Sequence, residues 1–389
     1  VAQPKVDPVR KRPRDRKAQI VAAAARLFWE QGYPQVAMAD IASAVGIGAS
    51  ALYRHFRGKG DLLGAVLTDA VEQLEQAVGE SADLDEMVTA IAEVMLRHRE
   101  YSALWDRAGG QLAEPEYERL RDRRRALAGR ISTAVDVVVG GSPEARDPRR
   151  VRAVSAVLES PSRHRVELDE RRFVTLLHDA AMSALAVELP AGTSTPPVDG
   201  GTRLLPASRR EALLAAAGRL MAERGYAAVS LDDIGAEIGI AGPSIYHHFT
   251  SKSDVLLSTL NRGNEALWFG LHQVLASADG PADALGRLVD SYVAIMAGNP
   301  EIISVLGREV NSLPEQHRVH FYRVQQDYVA EWVALLRGSR PELSEAEARV
   351  LVHAALGLVN SLSRSRLLRT RATITSDIGA LGRSVLGLA

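Results

Sequence analysis

The chain has no cysteine in 389 residues. That excludes disulfides, thiolate metal sites and a cysteine nucleophile, and it fits a reducing compartment. Long apolar runs are also missing, since no stretch approaches the about 18 residues a membrane-spanning helix needs. The opening Val1–Lys17 holds no apolar segment, so no signal peptide is expected and a cytoplasmic protein is. Aromatic residues make up only 5 % of the chain, so any cluster of them carries information. Excess charge is absent too: 47 Lys and Arg stand against 48 Asp and Glu, a net charge of −1. Taken as an average, this is a poor partner for a polyanion. Hydrophobic content of 46 % still supports real cores, and the length has room for roughly two to four domains.

What the chain does have is an internal repeat. Lys17–Leu63 recurs without a gap as Arg210–Leu256 at an offset of 193, with 19 of 47 positions identical, where chance gives about three. The shared residues run in one order. An alanine-rich apolar stripe (Ala22, Ala23, Ala24, Leu27; Ala215, Ala216, Ala217, Leu220) leads to Gly32-Tyr33 and Gly225-Tyr226. Asp40-Ile41 and Asp233-Ile234 follow, then Gly46-Ile47 and Gly239-Ile240, then Tyr53–Asp61 and Tyr246–Asp254. Helical spacing of Ile20, Ala24, Leu27 and Phe28, a stop at Gly32, and short segments around Gly46 predict three short helices followed by a longer one from Lys59. Those are two helix-turn-helix units on one chain. No alternation typical of strands is present, and the fold class expected is all-α.

The zero average hides a local asymmetry. Arg10–Leu63 carries ten Lys and Arg against four acids, while Arg203–Leu256 carries six against six. The first copy is prepared for phosphate and the second is neutral. The boundaries expected are a basic disordered arm at 1–14, a first DNA-binding domain at 15–63 and a first helical regulatory domain at 64–189. A Pro/Gly-rich linker at 190–206, a second DNA-binding domain at 207–256 and a second helical regulatory domain at 257–389 complete the chain.

In a helix-turn-helix the second short helix offers its N-terminal residues to base edges in the major groove. In the first copy these are Ala49, Ser50, Ala51, Tyr53, Arg54 and His55; in the second they are Gly242, Pro243, Ser244, Tyr246, His247 and His248. Leu52, Phe56, Ile245 and Phe249 read as the apolar knobs that fix the helix. Lys59 and Lys252 open the next helix, where an ammonium and free N–H groups can hold a phosphate. Ser230 and the arginines Arg209 and Arg210 complete the second head's expected contacts. Arg10, Lys11, Arg12, Arg14 and Arg16 form a basic arm suited to phosphate tracking or the minor groove.

Both copies resemble the N-terminal domain of TetR-type transcriptional regulators. The first has Ile41-Ala42, Gly46-Ile47, Leu52-Tyr53, His55-Phe56 and Lys59; the second has Ile234, Gly239-Ile240, Ser244–Tyr246, His248-Phe249 and Ser251-Lys252. The resemblance implies two consecutive units, each a three-helix DNA-binding domain plus a helical ligand-binding and dimerisation domain, acting as a repressor released by a small molecule. The family's capping Ser is Gly48 in one copy and Ala241 in the other, so that helix start is weaker. Its dimerisation mode implies that Ala145–Leu158 with Arg171–Glu188, and Ala346–Ser363 with Asp377–Leu388, pair within one chain as a pseudodimer; a homodimer with four heads is the alternative. The tandem layout is similar to that of regulators of mycobacterial lipid-uptake operons, which implies a sterol- or fatty-acid-derived effector, free or linked to CoA.

Catalysis is not expected. The ten histidines show no metal-binding spacing, no nucleophile and base come together, and no cofactor or metal is implied. For the effector, Trp268, Tyr292, Met296, Phe321, Tyr328 and Trp332 in the second half are the candidate lining, with core packing as the competing role. The first half offers Tyr101, Trp105 and Tyr117 beside the arginine-rich Glu116–Arg130, which points to a polar or anion-accepting face.

Overall fold

The computed structural model describes residues 13–139, 147–190, 206–240, 242–365 and 367–388. Most of the expected arm and linker, residues 1–12 and 191–205, lies outside that set. Every regular element among the described residues is a helix, and the two repeats carry the same helices in the same order. The first repeat has α1 (Pro13–Gln31), α2 (Met38–Ala44), α3 (Ala49–Tyr53), α4 (Lys59–Glu80), α5 (Leu84–Arg97), α6 (Glu100–Ala108), α7 (Glu114–Val139), α8 (Pro148–Leu158) and α9 (Glu170–Ala186). The second has α10 (Arg209–Arg224), α11 (Leu231–Glu237), α12 (Gly242–Ile245), α13 (Lys252–Leu275), α14 (Pro281–Gly298), α15 (Pro300–Glu309), α16 (Glu315–Ser339), α17 (Glu345–Ser363) and α18 (Ile374–Val385). The duplication therefore extends past the strong sequence repeat to the end of each unit. Helix α1 starts at Pro13, which suits a first helical turn, so the backbone of Arg14 belongs to α1 and not to an arm.

The chain divides into two compact units that do not follow the repeat boundary. One holds the described residues up to Ser81 together with Arg97–Arg130. Its core forms where α1, α2 and α4 turn their apolar stripes inward, burying Ile20, Ala24, Phe28, Ile41, Leu52, Leu62, Leu63 and Leu67. Within it Arg123 makes a two-pronged ion pair from α7 to Glu75 on α4, at 2.9 and 2.6 Å.

The other unit holds Ala82–Leu96 and the described residues from Ile131 onward. At its centre α8 and α9 of the first repeat pack with α17 and α18 of the second. Helix α17 explains why. It is apolar on all sides, with Val350, Leu351, Val352, Ala354, Ala355, Leu356, Leu358 and Val359 all buried. Such a helix must be surrounded, and α8, α9, α14, α16 and α18 surround it. The last two helices of each repeat thus meet inside one chain, as the dimerising helices of the resembling family led us to expect.

Candidate nucleic-acid interface

Both heads are held by the same backbone skeleton. Helices α1 and α10 end at Gly32 and Gly225, with φ of 89° and 82°, a conformation that a side chain disfavours. The turns between the short helices use Gly46 and Gly239, with φ of 68° and 72°. In each turn the following isoleucine closes back on the preceding helix: Ile47 N–H donates to Ala42 O and Ile240 N–H to Gly235 O, both at 3.0 Å. Leu52, Phe56, Ile245 and Phe249 are buried, so the reading helix of each head is pinned from beneath by the residues the pattern named.

The opposite faces of those helices look outward. Tyr53 is 54 % exposed and Tyr246 63 %, too open for core tyrosines. Ala49, Ser50, Arg54, His55 and His247 are exposed as well, while Ala51, Ser244 and His248 are half-buried. Gly242 and Pro243 open α12, and the side chain of Pro243 lies outside what is described. As expected, α3 starts at Gly48 with no side-chain cap.

The two lysines have a structural part. Lys59 Nζ donates to the carbonyl oxygens of Tyr33, Pro34 and Val36 at 2.6, 3.2 and 2.9 Å, and it lies 4.5 Å from the centre of the Tyr33 ring. An ammonium has three N–H donors, and all three are used here. Lys252 repeats the arrangement, reaching Tyr226 O and Val229 O at 2.9 and 2.8 Å over the Tyr226 ring. Burial lowers the pKa of Lys59 and raises those of Tyr33 and Tyr226. These lysines clasp the loop after the first helix to the start of α4 or α13, and a phosphate contact there stays a proposal. The signal was present in the sequence, because Gly-Tyr and Lys are retained together in both copies 26 residues apart.

Ser230 has a structural part as well. Its Oγ accepts from Asp233 N at 3.1 Å and donates to Asp233 Oδ2 at 2.6 Å, which caps α11. The first head has Ala37 there and keeps only half of the box, Ala37 N–H to Asp40 Oδ2 at 2.8 Å.

The basic residues before each head are partly engaged. Arg16 donates to Val45 O at 3.3 Å. Lys17 lies 5.7 Å over the Phe56 ring, and its counterpart Arg210 lies 4.8 Å over Phe249. Arg209 is exposed. Arg10, Lys11 and Arg12 lie outside the described residues, as does the side chain of Arg14. In the second head Arg219 pairs with Glu237 at 2.9 Å, which cancels one of its few cations.

The candidate effector residues separate into two groups. Trp268, Tyr292, Tyr328 and Trp332 form one contiguous set of ring contacts, with centroids 5.7 to 6.5 Å apart. Tyr292 and Tyr328 are buried, which pushes the Tyr292 phenol up to about 12 and that of Tyr328 higher still, and Tyr292 donates to Asn360 Oδ1 at 3.0 Å. Met296 is buried on α14. Phe321 belongs elsewhere, to the core beneath the second head with Leu213, Phe249, Leu256 and Val305. In the first repeat Trp105 stacks on Tyr117 at 5.5 Å, and Arg124 covers Trp105 at 4.3 Å, an aromatic face closed by a cation.

Comparison with known proteins places the heads. Residues 20–66 and 213–259 each match the family described as bacterial regulatory proteins, tetR family. Residues 278–364 match the tetracyclin repressor-like C-terminal domain. Among similar proteins, the HTH-type transcriptional repressor KstR2 of Mycolicibacterium smegmatis is 30 % identical over 135 residues, 34 % of this chain and 65 % of that protein. The HTH-type transcriptional activator FasR of the same organism is 34 % identical over 92 residues, 24 % of this chain and 42 % of that one. The chain thus spans about two thirds or less of the curated relatives it matches. The TetR family regulator PfmR of Thermus thermophilus matches 46 % of this chain and 97 % of its own, at 23 % identity and a TM-score of 0.41.

Proposed function

We propose that this chain, a member of the TetR family of bacterial regulators, represses transcription by holding one asymmetric operator with two unlike reading heads carried in cis. The observation that carries the reading is a pair of equivalent frames presenting different chemistry. Arg54 in the first head stands where His247 does in the second, and Ala51 where Ser244 does. Arginine reads guanine through a two-pronged bond that histidine cannot make, so the half-sites should differ. With the heads at 15–63 and 207–256, one chain would supply a reading helix to each half-site.

Release would come from a bulky, largely apolar effector, lipid- or sterol-derived, free or linked to CoA. The support is the ring set on α13, α14 and α16, with the Tyr292–Asn360 bond as a polar handle. Helix α13 runs from the second head directly into that set through Trp268, so it is the natural lever. An effector shifts such an equilibrium only by binding the released state better.

The test is selection of duplexes from a random pool with the intact protein, followed by footprinting. Two unlike half-sites are expected; a perfect inverted repeat held by one chain would overturn the proposal. A second reading, in which only the first head binds DNA, draws on the neutral charge of the second head and on its Arg219–Glu237 pair. It requires Tyr246→Ala with His247→Ala to leave operator affinity unchanged.

A further inference from the structure

Among the described residues, the two close ion pairs that join the repeats share one polarity, while the longer-range attraction of Asp147 to Arg371 runs the other way. Arg149, in the first turn of α8, donates from Nη1 to Asp377 Oδ2 at 2.5 Å in the first turn of α18, and both side chains are 2 % exposed. Asp147 accepts from Nε and Nη2 and the carbonyl of Pro190 accepts from Nη2, and Thr373 Oγ1 donates to Asp377 at 2.8 Å. Across the junction the reciprocal contact joins the first turn of α17 to that of α9, where Arg172 Nε donates to Glu347 Oε1. The places correspond closely. Arg149 is the second residue after the cap Asp147 and Glu347 the third after Ser344; Arg172 is the third after Asp169 and Asp377 the fourth after Thr373. In both pairs the first repeat supplies the arginine and the second supplies the acid. Arg152 adds a third contact of the same sense, donating to Ser361 O at 2.9 Å in the last turn of α17, where carbonyl dipoles favour a cation.

The apolar residues of this bundle cannot choose between partners, because burial of hydrocarbon has no direction. Charge can. Two first repeats packed in this way would set Arg149 against Arg172 at both sites. Two second repeats would set Glu347 against Asp377 at both sites and bury Asp377 without its counter-cation, which is heavily penalised in a dry interior.

We propose that Arg149, Arg172, Glu347 and Asp377 code the junction as heterotypic, so that a first repeat accepts a second repeat and rejects a copy of itself. The duplicated unit thereby keeps two different heads in every assembled molecule. It also rejects self-paired assemblies that would present two identical heads.

Two measurements test this. In the intact chain, Arg172→Glu is expected to lower the unfolding midpoint by about 2 °C. Adding Glu347→Lys should recover part of that loss, although it also removes the cap that Glu347 gives Ser344 N–H at 2.8 Å. Losses that simply add would overturn the proposal. For partner choice, a protease site is placed between the repeats of the full chain, which is then cut, carried through denaturant and back, and weighed by native mass spectrometry. The unaltered protein should return only first-with-second complexes at the 42.0 kDa of the uncut chain. The variant R149M/R172Q/E347Q/D377L should add first-with-first and second-with-second complexes at a near-statistical share. Self-paired complexes from the unaltered protein, or none from the variant, would show that charge does not choose the partner.

Discussion

The first and second heads agree in the hydrogen bonds that face inward and differ in the groups that face outward. Both place a glycine of positive φ at the end of the first helix and in the turn, and both fasten the intervening loop with a lysine. Outside, the first head carries an excess of cations and the second balances its own. Even equivalent arginines diverge: Arg219 faces Glu237, whereas Arg26 is exposed and Ala44 stands where Glu237 does. A frame that two sequences share only where it must be identical leaves the remaining positions free for different partners.

The largest expected break in that comparison is electrostatic. Removing residues 1–12 deletes Lys5, Arg10, Lys11 and Arg12 beside the first head alone. Operator affinity should fall by roughly 10- to 100-fold near physiological salt, and the log K against log salt slope should flatten by up to about three units. An unchanged slope in a titration by fluorescence anisotropy would make the arm a bystander.

Next comes the place where the repeats meet. His353 on α17 stacks on His164 at 4.5 Å, and burial, together with Arg349 and Arg163, lowers its pKa from the usual 6.5 to about 4. Above pH 6.5 it is neutral both folded and unfolded. As pH falls from about 6.5 to about 4 the unfolded chain takes up the proton first, so about 3 kcal/mol of stability is lost across that window and no more below it. Denaturant titrations at pH 7 and pH 4.5 should show this loss, and His353→Leu should remove it. A slope that persists in the variant would assign it to other groups.

The lysine clasps should behave alike in both heads. Lys59→Met and Lys252→Met each leave backbone carbonyls without their donor, at a cost of about 1–3 kcal/mol. Hydrogen exchange should speed up in the loop after α1 or α10. Weaker DNA binding with exchange unchanged would favour the phosphate reading. Gly235→Ala should separate the heads. A methyl there would meet Ile240 O at 2.8 Å and Ile245 Cδ1 at 2.9 Å, whereas Ala42 already occupies the equivalent place in the first head. The substitution should cost about 1–3 kcal/mol by calorimetry; no loss would mean that the second head relaxes freely. The smallest effect is Gly48→Ser. Nothing lies within 4 Å of the added Cβ and the backbone is already extended, so the new cap on α3 should add a few tenths of a kcal/mol, roughly. A lower midpoint would show that the helix start tolerates no side chain.

Much of this was legible before any coordinates. The helix-turn-helix units, their buried knobs and their exposed reading faces follow from spacing, because amphipathic periodicity and glycine stops are local properties. The pairing of α8 and α9 with α17 and α18 was anticipated from the family the chain resembles. The place of Phe321 in the core beneath the second head was not legible, because a buried aromatic on a long helix looks the same whether it lines a pocket or a core, and only its neighbours decide.

The sequence by itself determined the duplication, the all-α class, the position of both heads and the imbalance of charge between them, since each is a matter of order and composition along the chain. Tertiary structure alone decided what the long side chains do. Lysine and arginine reach several ångströms from the backbone, so a helix position cannot tell a phosphate contact from a clasp on a carbonyl 23 residues away. Nor can it reveal that Arg149 meets Asp377 across 228 residues, because that partnership exists only once α8 and α18 have packed and water has left the space between them.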